Sequence, residues 1–185
     1  MSDPHAVAAD PHARLREHAE RRRAAGLRRT LTPRKHDDDV LDLAGNDYLG
    51  LARNPRVVEG AVDAVRRWGG GATGSRLVTG STRAHHDLEE ALAAHVGVEA
   101  ALVLSSGYLA NLAAVTTLAV DGDLVVSEAQ NHASLIDACR LGRARTAVAS
   151  HGDVDDVDRL LAQPRDAGAL VVTDSVFSVD GDLAP

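Results

Sequence analysis

Short apolar runs and helix-length segments alternate regularly along the second half of this chain. The apolar runs predict strands, and the stretches between them predict helices of about ten residues. The predicted strands cover residues 101–104, 123–127, 145–149 and 169–173, and the predicted helices cover residues 108–119, 132–141 and 153–162. Strands connected through helices pair in parallel, so this order predicts an α/β fold with a mainly parallel sheet and helices on both faces.

The first half of the chain is organised differently. A helix over residues 11–27 and a polar connector over residues 30–39 predict an N-terminal helical arm that follows a loose terminus at residues 1–9. A short strand is expected at residues 40–43. Two further helices are predicted at residues 55–68 and 83–96, each ending before glycine. We therefore expect an arm and connector at residues 1–45 and part of a larger domain at residues 46–185.

Charge and cysteine content exclude several classes of protein. The formal net charge of −7 disfavours nucleic acid as the main partner. The single cysteine, Cys139, allows no internal disulfide, and no apolar run is long enough to cross a bilayer. We expect a cytoplasmic protein that binds no membrane.

A glycine-centred turn at residues 105–111 has the sequence SSGYLAN and separates an apolar run from a predicted helix. Small residues there let the chain turn sharply, so free N–H groups at the helix start can face an anion. The same kind of turn also occurs in α/β proteins for packing alone. It lies at a strand end, as do residues 127–132 and 174–178, and ligands collect at that edge of a parallel sheet.

Other motifs of nucleotide binding and hydrolysis are missing. The chain has neither the Walker pattern GxxxxGK[ST] nor a GxGxxG run that opens a helix after a strand. Ser106 stands in no GxSxG elbow, which disfavours a hydrolase triad.

No metal site is expected. His85 and His86 are adjacent on a predicted helix and point in different directions, and no third ligand has a suitable spacing. Asp180-Gly181-Asp182 lacks the other ligands of a calcium loop and predicts a turn instead.

His132 opens a predicted helix at the ligand-binding edge of the sheet. A histidine at such a position is commonly a capping or solvent-facing residue. The residues alone therefore leave open whether His132 acts on a ligand.

Five motifs in order resemble the α-oxoamine synthases, over residues 15–185. They are GNDYLGL at 45–51, GATGSRLVTG at 71–80, SGYLAN at 106–111, HASL at 132–135 and DSVFSVDGD at 174–182. The form GSRLVTG is most similar to the members that join L-alanine to a pimeloyl thioester in biotin synthesis. Sister members use other acyl thioesters, such as those that form 2-amino-3-oxobutyrate or 5-aminolevulinate.

The resemblance implies the large domain of a fold-type I enzyme that uses pyridoxal 5′-phosphate (PLP), here incomplete. In such an enzyme L-alanine loses its α-proton and attacks the pimeloyl-CoA or pimeloyl-carrier-protein thioester, and the product loses CO2. Carried over to this chain, the backbone at Gly107 and Tyr108 would hold the cofactor. His132 would stack on its ring and act in catalysis, and Ser178 would hydrogen-bond to it.

The resemblance also implies contacts with substrate. Arg28 and Asn46 would bind substrate carboxylates, and His132 would contact substrate as well. Arg29 is adjacent to Arg28 and is an alternative. Asp174 stands where the family often has glutamate.

The family's cofactor lysine has no counterpart here. The only lysine is Lys35, in the polar connector, and it matches no family motif. The chain is therefore expected to be a truncated piece of such a synthase, inactive by itself, whose family activity belongs to the complete protein. The alternative is a non-catalytic fragment that binds ligand weakly or needs a complementary half. The complete protein is expected to be a homodimer.

Overall fold

A computed structural model of the chain describes residue 10, residues 12–164 and residues 167–185. The predicted terminus at residues 1–9 and the first residue of the predicted arm helix, Pro11, lie outside the described residues. The chain divides into two compact units, Met1–Val58 and Glu59–Pro185.

The N-terminal unit contains one long helix, α1, over Ala13–Ala24. It is shorter than the predicted helix because Gly26 takes a left-handed φ of 70° two residues after its last residue. A short 3-10 helix covers Leu51–Arg53, and α2 begins at Pro55 and ends at Trp68. The strand predicted at residues 40–43 was wrong, since these residues form no strand.

The C-terminal unit contains a three-stranded parallel sheet in the order β2-β1-β3. Its elements follow one another as α3 (Arg83–Val96), α4 (Gly107–Leu118), β1 (Leu124–Glu128), α5 (Ala133–Leu141), β2 (Arg145–Ala149), α6 (Val154–Leu161) and β3 (Ala169–Val172). Residue 124 of β1 pairs with residue 145 of β2 and residue 169 of β3. The predicted parallel α/β fold is confirmed.

Both faces of the sheet carry helices. Val125 and Val172 point to one face and pack against α4 and α5 in a core that includes Val115 and Ala138. A second core on the other face joins the sheet to α6 and consists of Leu124, Val126, Ala149 and Leu160. The central strand β1 is buried along its whole length, as its continuous apolar run predicts.

Residues 101–104 do not form the strand that their apolar pattern predicts. The side chain of Glu89 accepts the N–H of Val103 over 2.8 Å, and Arg76 donates to the Val103 carbonyl over 3.0 Å. Two side chains therefore occupy the backbone groups that a neighbouring strand would bind. The segment connects α3 to α4.

The helix ends follow local sequence. Ser106, His132 and Asp153 cap α4, α5 and α6 with their side chains. Gly97 ends α3 with a left-handed φ of 77°. Among the described residues, no helix has the length and apolar character needed to span a membrane.

Candidate functional site

Two side-chain hydrogen bonds join the N-terminal parts of α4 and α5. Asn111 donates from Nδ2 to Oγ of Ser134 over 2.9 Å, and the Tyr108 hydroxyl donates to Oδ2 of Asp137 over 2.7 Å. The bond to Asp137 raises the pKa of the Tyr108 hydroxyl, because the carboxylate acceptor favours the protonated phenol. The N-terminus of α4 is thereby fixed beside the N-terminus of α5.

A buried carboxamide joins the ends of β1 and β3. Asn131, only 4% exposed, donates from Nδ2 to the Val172 carbonyl over 2.7 Å and to Oγ of Ser127 over 3.1 Å. Its Oδ1 accepts the N–H of Asp174 over 3.0 Å. Both amide protons and the oxygen are used, so the orientation of the side chain is fixed. Asn131 therefore holds the segment after β3 next to the start of α5.

His132 is anchored at both its backbone and its ring. Its N–H donates to Oδ2 of Asp174 over 2.7 Å. Its Nδ1 accepts the backbone N–H of Ser134 over 3.1 Å and lies 2.7 Å from the Oγ of Ser134. Because a backbone N–H can only donate, Nδ1 carries no proton. The proton of the imidazole is therefore assigned to Nε2.

The start of α4 has unused hydrogen-bond donors. Ser106 Oγ accepts the N–H of Leu109 and the Ser106 carbonyl accepts that of Ala110. Within the described part of the chain, the N–H groups of Gly107 and Tyr108 donate to no protein atom. A Cβ built on Gly107 would meet no atom within 4 Å, so the packing of the chain does not require glycine there. Open space and two free donors at a helix N-terminus suit an anion such as a phosphate.

An ion pair holds the segment that leads into this helix. Arg76 Nη1 lies 2.6 Å from Oε1 of Glu89, and the same guanidinium binds the Val103 carbonyl. The hydrogen bond from Arg76, with that from the Val103 N–H, lowers the pKa of Glu89 to about 2. The pair is therefore fully charged at neutral pH and fixes the backbone three residues before Ser106.

Ser178 lies in an exposed turn at the tip of a small hairpin after β3. The hairpin is closed by a bridge between Val176 and Leu183, and the Phe177 N–H donates to the Asp182 carbonyl over 2.9 Å. In the described chain, no hydrogen bond joins the side chains of Ser178 and His132. The cofactor contact of Ser178 stays a prediction.

Arg28 and Asn46 belong to the N-terminal unit and are exposed. Arg28 and Arg29 both line a groove of about 540 Å³ beside α1. The groove does not distinguish Arg28 from Arg29. The substrate contacts of Arg28 and Asn46 both stay predictions.

The metal prediction had overlooked one side chain. His86, Asp87 and Glu90 each offer a ligand atom within 4.8 Å of the others, and Glu90 supplies the third group, four residues after His86. All three are exposed. Asp87 pairs with Arg83 over 2.8 Å, and Nδ1 of His86 lies 3.2 Å from Oε1 of Glu90, so all three groups have partners within α3.

Comparison with known proteins supports the resemblance drawn from the motifs. The model of the family "Aminotransferase class I and II" matches residues 38–185, most of the chain. The chain belongs to the aminotransferase class I and II family.

The curated relatives of this aminotransferase-family chain carry the name of one enzyme. It is 60% identical over 175 residues to 8-amino-7-oxononanoate synthase of Mycolicibacterium gilvum, covering 95% of the chain and 46% of that relative. The corresponding synthase of Mycolicibacterium vanbaalenii is 58% identical over 179 residues, covering 97% of the chain and 47% of that relative. The chain thus spans about half the length of the curated relatives it matches.

Solved structures agree on the fold. Serine palmitoyltransferase of Sphingomonas wittichii gives a TM-score of 0.81 at 34% identity, covering 95% of the chain and 48% of that protein. A serine palmitoyltransferase variant of S. paucimobilis with a bound PLP–myriocin aldimine gives 0.72 at 38% identity, covering 75% and 35%. An 8-amino-7-oxononanoate synthase of Francisella tularensis gives 0.66 at 25% identity, covering 80% and 41%.

Three residues of the site were not singled out from the sequence. Asn131, Ser134 and Asp137 make the bonds that align His132 and α4, and none of them matches a ligand-binding pattern by itself. The only signal was their position. Asn131 follows a buried strand, and Ser134 and Asp137 are among the first five residues of the next helix, near the edge where parallel strands end.

We predict that Asn131→Ala lowers the free energy of unfolding by roughly 2–4 kcal/mol, because the Val172 carbonyl and the Asp174 N–H lose their partner where water is excluded. Urea denaturation measures the change. The control is Gln130→Ala, whose side chain is exposed and which should stay within about 0.5 kcal/mol. Equal, small effects of the two substitutions would contradict the role assigned to Asn131.

Proposed function

We propose that these residues form one wall of the PLP site of a synthase that condenses L-alanine with a pimeloyl thioester in biotin biosynthesis. The products are 8-amino-7-oxononanoate, CO2 and the free thiol carrier. The observation that carries the proposal is the pair of free N–H groups of Gly107 and Tyr108 at the start of α4. Side-chain hydrogen bonds hold this end of α4 beside the start of α5, which His132 caps. PLP-bound relatives of the same fold support it.

The donor set fits the cofactor's phosphate. A helix N-terminus carries partial positive charge, and two unpaired N–H groups can bind two phosphate oxygens. The empty space beside the Gly107 Cα allows the phosphate to approach the backbone closely. Bound PLP supplies the electron sink that stabilises negative charge at the amino-acid Cα.

His132 is suited to hold a flat ligand in one orientation. Its ring is fixed through Nδ1 by Ser134, which in turn is fixed by Asn111. The exposed ring then presents a face for stacking and an Nε2–H for donation to a substrate carboxylate or carbonyl oxygen. The hydroxyl of Ser178 can donate to or accept from the cofactor ring's substituents.

The similarity to curated relatives supports the proposed acyl thioester. The chain is 58–60% identical to the two curated 8-amino-7-oxononanoate synthases from Mycolicibacterium, but 34–38% identical to the two serine palmitoyltransferases of known structure. Arg28 is the proposed partner of the pimeloyl carboxylate, since a guanidinium binds two oxygens at once. Asn46 is the second proposed contact with a substrate carboxylate. Another α-oxoamine synthase activity is the alternative.

The proposed reaction also needs an amine to anchor the cofactor. The 185 residues contain one lysine, Lys35, which is exposed in the N-terminal unit and to which the proposal gives no role. We therefore propose that these residues alone are inactive and act within a full-length cytoplasmic homodimer.

Gly107→Ala should weaken phosphate-ligand binding without destabilising the chain. The new methyl group meets no protein atom, but it occupies the space through which a phosphate approaches. We expect affinity for pyridoxine 5′-phosphate, which lacks the reactive aldehyde, to fall about tenfold, or about 1.4 kcal/mol. Isothermal titration calorimetry measures it.

The matched control is Gly60→Ala in α2, where an added Cβ also meets nothing. It should leave affinity unchanged, and both variants should melt at or above the temperature of the unmodified chain. Equal affinities of the two variants would contradict a phosphate site at Gly107.

The acyl substrate is tested in the full-length protein by free-thiol release. Pimeloyl-CoA with L-alanine should give a kcat/KM at least about a hundredfold above palmitoyl-CoA with L-serine. The pimeloyl chain ends in a carboxylate that the proposed site binds, whereas the palmitoyl chain has none. Arg28→Ala should raise the KM for pimeloyl-CoA about tenfold or more, and Arg29→Ala much less. A preference for palmitoyl-CoA would overturn the proposed substrate.

A further inference from the structure

His151 lies between two carboxylates that come from different parts of the chain. Its Nδ1 is 2.6 Å from Oε1 of Glu128, the last residue of β1, and its Nε2 is 2.9 Å from Oδ2 of Asp182, in the hairpin after β3. Ionised carboxylate oxygens only accept hydrogen bonds, so both ring nitrogens must carry protons to make both contacts. The geometry is that of an imidazolium ion.

The same histidine also contacts the hairpin through its ring. The ring of Phe177, 2% exposed, packs edge-on against that of His151, with centroids 4.7 Å apart and planes at 79°. The hairpin itself is short. Within it, the Gly181 N–H donates to the Phe177 carbonyl and the Ala184 N–H donates to the Ser175 carbonyl, each over about 3 Å.

The other charged groups near His151 have partners of their own and make no contact with its ring. The other oxygen of Glu128 accepts the N–H of Gln130 over 2.5 Å. On the element that follows His151, Asp156 accepts from Ser150 and pairs with Arg159. Glu128 and Asp182 are therefore the charged partners of the ring in the described chain.

We propose that His151 is a positioning residue: its imidazolium ion ties the Ser178 hairpin to the end of β1 and releases the hairpin when the ring loses a proton. A neutral imidazole has one N–H and can donate to only one of the two carboxylates. One link to the hairpin or to the sheet is then lost. That Ser178 contacts cofactor rests on the function proposed above, whereas the link between His151 and the hairpin does not.

The direction of the pH effect follows from the partners. The hydrogen bond to Glu128 is the main cause that raises the pKa of His151 above its ordinary value of 6.5, and Asp182 acts in the same direction. A raised pKa in the folded chain means that the link is complete below the ordinary value and is lost as pH rises through the raised one. The hairpin should therefore be most firmly held in mildly acidic solution and less firmly held as the pH rises.

Nuclear magnetic resonance on the 185-residue chain tests this without cofactor. The ring protons of His151 should titrate above pH 6.5. The amide resonance of Ser178 should shift at the same pH, and the protection factors of Phe177 and Gly181 against hydrogen exchange should fall there by about tenfold.

His151→Gln should abolish this pH step and leave low protection at every pH. The matched control is His86→Gln, which removes an exposed imidazole with a single carboxylate partner and should keep the step. Asp182→Asn keeps a polar group at the hairpin and should move the step to lower pH. A His151 titration at or below its ordinary value, or hairpin protection independent of pH in the unmodified chain, would overturn the proposal.

These outcomes are separate from the proposed function. A chain that binds no pyridoxine 5′-phosphate but shows the pH step would refute the cofactor site and keep the link. A chain that binds the ligand at Gly107 without the step would refute the link alone.

Discussion

The carboxamide of Asn131 joins the parts of the molecule on which the candidate site depends. Parallel strands end without further backbone partners, and here one buried side chain satisfies both the carbonyl at the end of β3 and the N–H of Asp174. Asp174 is then placed to accept the His132 N–H. Because the amide is neutral, its burial carries no cost of desolvating a charge. A single uncharged residue therefore sets the relation between the sheet and the start of α5.

Much of the fold could be predicted from the sequence because its local signals agree with its tertiary contacts. The helix over residues 83–96 was predicted to the residue, since Leu88, Leu92 and Val96 are spaced by four and Gly97 ends the helix. The strand over residues 145–149 was equally clear. The strand predicted at residues 101–104 was wrong because an apolar pattern does not reveal what the backbone binds. Here the side chains of Glu89 and Arg76 bind the N–H and carbonyl of Val103.

The sequence indicates the candidate ligand-facing residues, whose roles stay predictions, but it does not indicate the residues that hold them in place. Glycine and small residues at the start of α4 have a direct physical meaning for an anion. Ser134 supports the site only through its hydrogen bonds with Asn111 and His132. His132 is two residues away, but Asn111 is 23 residues away and reaches Ser134 only in the folded chain. Long-range polar pairs of this kind leave no periodic pattern, and the same holds for His151 between Glu128 and Asp182.

The central claim is that the start of α4 binds the cofactor's phosphate next to His132. The most direct measurement is a titration of the 15N-labelled chain with pyridoxine 5′-phosphate, followed by amide chemical shifts. We predict that the largest changes fall on the amides of Gly107 and Tyr108, with a smaller change at His132. Saturable changes confined to the arginine-lined groove beside α1, or no saturable change at Gly107, would contradict it.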